Sequence, residues 1–109
     1  MSNKVFAGVA LVLAGGAHAT TYTGTVQKAL SSASTITAGN TRVSIFTGST
    51  TSCGNAGWYA YDMPSASVGS MWGATLLAAI TAGAPVTVNG TGTCDQFGLE
   101  IVSSISALP

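Results

Sequence analysis

Hydrophobic and polar positions follow two periods along this chain. A period of two runs through Thr41–Thr47, where Val43 and Ile45 alternate with Arg42 and Ser44, the pattern of a half-buried strand. Trp58–Met63 is aromatic and strand-like and stops at Pro64. Its alternation puts Trp58 and Asp62 on one face and Tyr59, Tyr61 and Met63 on the other. Upstream, Tyr22–Ser32 reads as one strand-like run with Val26 and Leu30 on a shared face, interrupted by Lys28. Ser34–Asn40 is a polar connector, and Gly48–Gly57 is a Ser/Thr/Gly loop. Downstream, Val86–Val88 is a short strand leading into the glycine-spaced Asn89–Cys94, where glycines mark bulges or bends. Leu99–Ala107 closes the chain with Leu99, Ile101 and Ile105 on one face.

The second period, near 3.6, predicts one helix over Val68–Ala82. Val68, Met71, Trp72, Thr75, Leu76, Ala79 and Ile80 share its inner face. Ser65 or Ser67 caps its start, Gly83 suits a left-handed end, and Pro85 forbids continuation. The opposite face carries Gly73, Ala74, Leu77, Ala78 and Thr81 and no charge. A helix facing water normally carries charges there. The bare face therefore points to contact with another chain through Ala74, Leu77, Ala78 and Thr81. Good helix formers on an ordinary surface explain the alanines equally well, but not Leu77.

The order strand, strand, strand, helix, strand, strand is that of the OB-fold. That fold is a mainly β, five-stranded Greek-key barrel with a helix between strands 3 and 4. Its third and fifth strands run parallel, so their starts are neighbours. The only two cysteines, Cys53 and Cys94, read as one disulfide in an exported chain; the alternative, a two-cysteine metal site, lacks the usual four ligands. Cys53 precedes the third run and Cys94 the fifth, so the fold brings them to the same end. The bridge closes a loop of about 40 residues and adds about 3–4 kcal/mol in the chain-entropy model.

Charge changes the picture next. Lys4, the apolar Val5–Gly16 and the small-x-small Ala17-His18-Ala19 read as a secretory signal peptide over 1–19, leaving 20–109 as one domain. Cleavage after Ala19 removes the only histidine and leaves Lys28, Arg42, Asp62, Asp95 and Glu100 as the charged residues. Two bases against three acids give a formal charge of −1. Clustered phosphate contacts need Lys and Arg, so nucleic acid is not an expected partner. Val5–Gly16 is shorter than the roughly 20 residues that span a bilayer, so no membrane insertion is expected. Acid–base catalysis needs a histidine, paired carboxylates or a metal; the expectation is a non-catalytic protein with no cofactor and no metal. Charged residues make up 6% of the sequence against about 25% in ordinary globular proteins. Either hydroxyls solubilise the surface, or identical neighbours cover much of it.

The chain resembles the binding subunits of bacterial A–B toxins, and is most similar to the subtilase-cytotoxin-like group. The resemblance is carried by Trp58-Tyr59-Ala60-Tyr61, by Met71–Ala79, by Pro85–Cys94 and by Gly98–Val102. It implies a secreted or periplasmic bacterial OB-fold in a pentameric ring, with the helix lining the pore and strands pairing edge to edge. It also implies a host glycan as ligand and a catalytic A subunit as cargo. A sugar site needs an aromatic face and fixed polar partners; Trp58, Tyr59, Tyr61 and Tyr22 offer the first, and Asp62, Arg42, Asp95, Gln96 and Asn55 the second. Trp58, Asp62 and Arg42 are the expected glycan contacts. The competing reading is an exported OB-fold interaction module without a glycan ligand, such as an inhibitor of an exported enzyme.

Overall fold

The computed structural model describes residues 18–108, so most of the expected signal peptide, Met1–Ala17, lies outside the described residues. The described residues fold into one six-stranded sheet and one helix. The strands are β1 (Thr21–Gly24), β2 (Lys28–Ala33), β3 (Asn40–Phe46), β4 (Trp58–Pro64), β5 (Val86–Cys94) and β6 (Glu100–Ala107). Helix α1 spans Val68–Ala82, between β4 and β5. The sheet order is β1-β5-β6-β4-β3-β2. All neighbours are antiparallel except β4 and β6, which run parallel.

The run Tyr22–Ser32, expected as one strand, is two. β1 pairs with β5 at one edge, and β2 pairs with β3 at the other. Only residues 25–27 join them. That link spans at most about 14 Å, so the sheet must curl until its edges nearly meet. The break also separates Val26 from Leu30. Val26 packs against the core, whereas Leu30 is 53% exposed.

The core lies inside this curl. Ile45, Tyr59, Val86 and Val88 are wholly buried, with Val43, Tyr61, Leu76, Ala79, Val102 and Ile105 around them. Each such aliphatic side chain contributes about 1.5–3 kcal/mol relative to exposure. Leu99, Ile101 and Ile105 do not share a face. A register shift between the Gly90–Val102 and Asn89–Ser104 pairs inserts an extra residue into β6. The bulge turns Val102 and Ile105 both inward and leaves Ile101 on the outer face.

The helix ends follow the sequence closely. The Ser67 side chain accepts from Gly69 N, and Gly83 takes the left-handed conformation at φ 65°. Its inner face is narrower than the periodicity predicts. Val68, Met71 and Ile80 are exposed, and Gly69, Trp72, Leu76 and Ala79 face the sheet. Gly69 sets this rotation. A Cβ there would lie 3.1 Å from the Tyr61 ring and 3.2 Å from Met63. The Tyr61 hydroxyl donates to Gly69 O at 2.9 Å, and Trp72 meets the Tyr61 ring edge-on at 5.0 Å.

Cys53 and Cys94 form a disulfide, Cα–Cα 5.6 Å. It joins the β3–β4 loop to the end of β5, beside the parallel pair. Glu100 lies there too and is wholly buried. Its Oε1 accepts from Thr20 Oγ1 (2.6 Å), Ser52 N (3.0 Å) and Ser52 Oγ (3.1 Å). Its Oε2 accepts from Thr20 N (3.0 Å) and Gly92 N (3.1 Å). Gly90 leaves the room, since a Cβ on it would fall 1.9 Å from Oε2.

The close approach at Gly69 makes a prediction. Gly69→Val should overpack the helix–sheet joint and destabilise the fold by about 1–3 kcal/mol. Urea unfolding followed by tryptophan fluorescence reads this directly; an unchanged midpoint would contradict the docking described.

Candidate functional site

The outer face of β3 and β4 is built by cross-strand pairs. Arg42 lies opposite Asp62, Ser44 opposite Ala60, and Phe46 opposite Trp58. The alternation expected for Trp58–Met63 holds: Tyr59 and Tyr61 are buried and Met63 packs on the core, while Trp58 and Asp62 point the other way. Tyr59 and Tyr61 are therefore core residues and not a sugar platform. Burial pushes both phenols above their ordinary pKa. Tyr22 also packs against the core, and its hydroxyl donates to Thr25 O.

Two loops fold over this face. The β5–β6 loop is shaped by Asp95, whose Oδ1 accepts from Phe97 N (2.9 Å) and Leu99 N (3.0 Å). Its Oδ2 takes Arg42 Nη2 at 2.6 Å, with both side chains about nine-tenths buried, at 10% and 8% exposure. Phe97 lies over the Arg42 guanidinium, 5.0 Å from its ring centre. Asn55 Nδ2 donates to Phe97 O, and Asn55 N to Gly98 O at 2.9 Å. The β2–β3 turn is shaped by Ser34, whose Oγ accepts from Ile36 N and Thr37 N and donates to Asp62 Oδ2. Asn40 Nδ2 donates to Asp62 Oδ1 at 2.8 Å.

Between these loops lies a hollow of about 340 Å³, with Arg42 on its floor and Ile36, Thr37, Asp62, Asp95, Gln96 and Ile101 around it. A second hollow of about 290 Å³ lies along the same face, lined by Leu30, Ser44, Asn55, Trp58 and Leu99. The structure thus brings Arg42 and Asp62 together and sets Trp58 apart. Trp58 and Asp62 are four steps apart along the strand, about 13 Å. Trp58 is also half-buried against Phe46, with ring centres 5.1 Å apart. Sequence reasoning missed Phe97, which lies over Arg42, and Ser34 and Asn40, which hold Asp62 in place. The Asp-Gln-Phe-Gly run at 95–98 carried a turn signal that pointed to the first of them.

Ala74, Leu77, Ala78 and Thr81 are all exposed, on the side of α1 away from the sheet. With Met71 (69% exposed) and Leu77 (68%) they form an uncharged apolar surface. A groove of about 580 Å³ runs between α1 and β2, lined by Lys28, Leu30, Val43, Leu76, Leu77 and Ile80 among others. Among the described residues, no group of three or more His, Cys, Asp or Glu could hold a metal. No helix among them is long and apolar enough to cross a membrane. No protein-family model, curated protein or solved structure matches the chain.

The Arg42–Asp95 pair should behave as a buried couple. Arg42→Met leaves Asp95 without its cation and should cost about 3 kcal/mol, while pairing it with Asp95→Leu should recover part of that loss. Denaturant unfolding of the single and double variants gives the answer. A single variant as stable as the parent would mean the pair does not hold the loop.

Proposed function

We propose that this chain is a secreted, non-catalytic binding subunit that assembles into a homo-oligomeric ring, most simply a pentamer, and recognises cell-surface glycans. The observation that carries the reading is the separation of two unlike surfaces. One is the bare, apolar side of α1 with its adjoining groove; the other is a sheet face bearing shaped hydrogen-bonding hollows. A contiguous exposed apolar surface marks an interaction site. β1 and β2 each have one unpaired edge, which suits strand pairing between copies.

The OB-fold reading is supported by the strand order. Counting β1 and β2 as halves of one bent strand leaves five, ordered as a Greek key with the third and fifth parallel. The disulfide suits an oxidising compartment outside the cytosol. The toxin-subunit resemblance adds a catalytic A subunit as the ring's cargo.

The hollow at Asp62 is the primary glycan site, and Trp58 extends it for a longer chain. Arg42 is matched in charge by Asp95, and Asp62 adds one more carboxylate. The hollow is therefore net negative and favours a neutral sugar over an acidic one. Single-site affinity is weak, around millimolar, and multivalency in the ring raises it 100-fold or more.

Light scattering should give a ring mass for the parent. Leu77→Glu should dissociate it, because an unpaired charge is costly to bury. A monomer for the parent at micromolar concentration would reject the assembly. On a glycan array the ring should bind neutral termini, and Asp62→Ala should weaken this more than Trp58→Ala. Binding that survives both changes would move the site. A well-formed ring that binds no glycan would leave an interaction module without a sugar ligand.

A further inference from the structure

Glu100 is a buried carboxylate that the glycan reading does not use. It is 0% exposed, and among the described residues neither Lys nor Arg reaches it. Arg42 is held by Asp95, and Lys28 is exposed on β2. A buried carboxylate without a cation is costly unless its oxygens are well bonded. Two of the five donors come from one residue, Thr20, through its backbone N (3.0 Å) and its Oγ1 (2.6 Å). Thr20 is also fixed independently of Glu100. Gly90 N donates to Thr20 O at 2.8 Å, and the Tyr59 hydroxyl meets Thr20 Oγ1 at 2.8 Å.

Thr20 is the residue that follows the Ala17-His18-Ala19 cleavage signal. Hydrolysis of the Ala19–Thr20 amide by an export peptidase adds one water across the bond. The hydroxyl goes to the Ala19 carbonyl, the hydrogen goes to the Thr20 nitrogen, and the acid proton of the new Ala19 carboxyl passes to that nitrogen. The products are a carboxylate on Ala19 and an α-ammonium on Thr20. The nitrogen that acquires the charge is the one that already lies 3.0 Å from Glu100 Oε2.

We propose that Glu100 is a built receptor for the α-ammonium of Thr20, so that processing supplies the missing cation and completes the fold. The ion pair ties the new N-terminus to the β3–β4 loop through Ser52, to β5 through Gly92 and to the start of β6. The mature chain is therefore the stable form, and any residue left ahead of Thr20 weakens it. This inference rests on the cleavage read from the sequence and is independent of the glycan reading.

The pH dependence follows from both partners. The α-amino group gains a carboxylate on folding, so its folded pKa rises above the unfolded value of about 7.7–8.0. Its stabilisation is full below that range and is lost as pH rises through the raised folded value. Burial pushes the Glu100 carboxyl up, but the bonds from Thr20 and Ser52 together outweigh burial and hold it below the ordinary carboxylate value. Its share is present above the ordinary value and is lost as pH falls through the lowered one. Tyr59, raised chiefly by burial, is the other titratable group on Thr20.

The test compares the chain beginning at Thr20 with one that keeps Ala17-His18-Ala19, each with Glu100 and with Glu100→Gln. With Glu100, the Thr20 form should show an unfolding constant at least about tenfold smaller at pH 6, and the advantage should vanish above pH 10 and in Glu100→Gln. Equal stability of the two forms with Glu100, or an equal advantage in Glu100→Gln, would overturn the proposal. Should Glu100→Gln not fold, an NMR titration of the Thr20 amine in the unaltered mature chain decides. A pKa above 8 supports the pair, and an unshifted or lowered one refutes it.

Discussion

The fold depends on the joint at Glu100. β4 and β6 share only two register pairs, Tyr59 with Glu100 and Ala60 with Ile101. Such a short parallel contact is a weak point in a sheet that must curl on itself. The carboxylate reinforces it by collecting donors from the start of the chain, the β3–β4 loop and β5. The Cys53–Cys94 bridge lies beside it, one residue from Ser52 and at the register partner of Glu100. Hydrogen bonds to an ionised group are roughly twice as strong as neutral ones, so a single carboxylate can hold three segments together.

The placement of the two proposed surfaces follows from that joint. Asp95 comes directly after the bridged Cys94, so the loop that shapes the hollow starts from a fixed point and reaches back over Arg42. On the other side of the sheet, Gly69 and Trp72 dock α1 against Tyr61, which turns Met71 and Leu77 outward. Tyr59 and Asp62 belong to the same strand yet serve opposite faces. A period of two is enough to keep a hydrogen-bonding surface and an apolar surface apart in so small a domain.

Local rules made much of this legible in the sequence. The helix, both its caps, the alternation at Trp58–Met63 and the disulfide each follow from residues close in the chain or from one topological argument. What escaped depended on partners distant in sequence. The break at Thr25–Gln27 looks like ordinary strand sequence, because Thr and Val favour strands whether or not the strand changes partners. The bulge in β6 has no glycine of its own to announce it. The rotation of α1 follows from Gly69, whose missing side chain matters only once Tyr61 and Met63 lie against it. Glu100 read as one charge among five. Its burial becomes legible only when Gly90, from another strand, leaves space for the carboxylate.

Hydroxyl-radical footprinting across the proposed assembly transition tests most directly whether the two surfaces have separate roles. Met71 is 69% exposed on the helix side, and Phe97 is 45% exposed on the loop over the sheet face. Raising the concentration from the dissociated to the assembled range should sharply reduce modification of Met71 and Leu77 while Phe97 and Trp58 stay as reactive as before. Protection of Phe97 with Met71 unchanged would show that the copies meet through the sheet face and would contradict separate roles for the two surfaces.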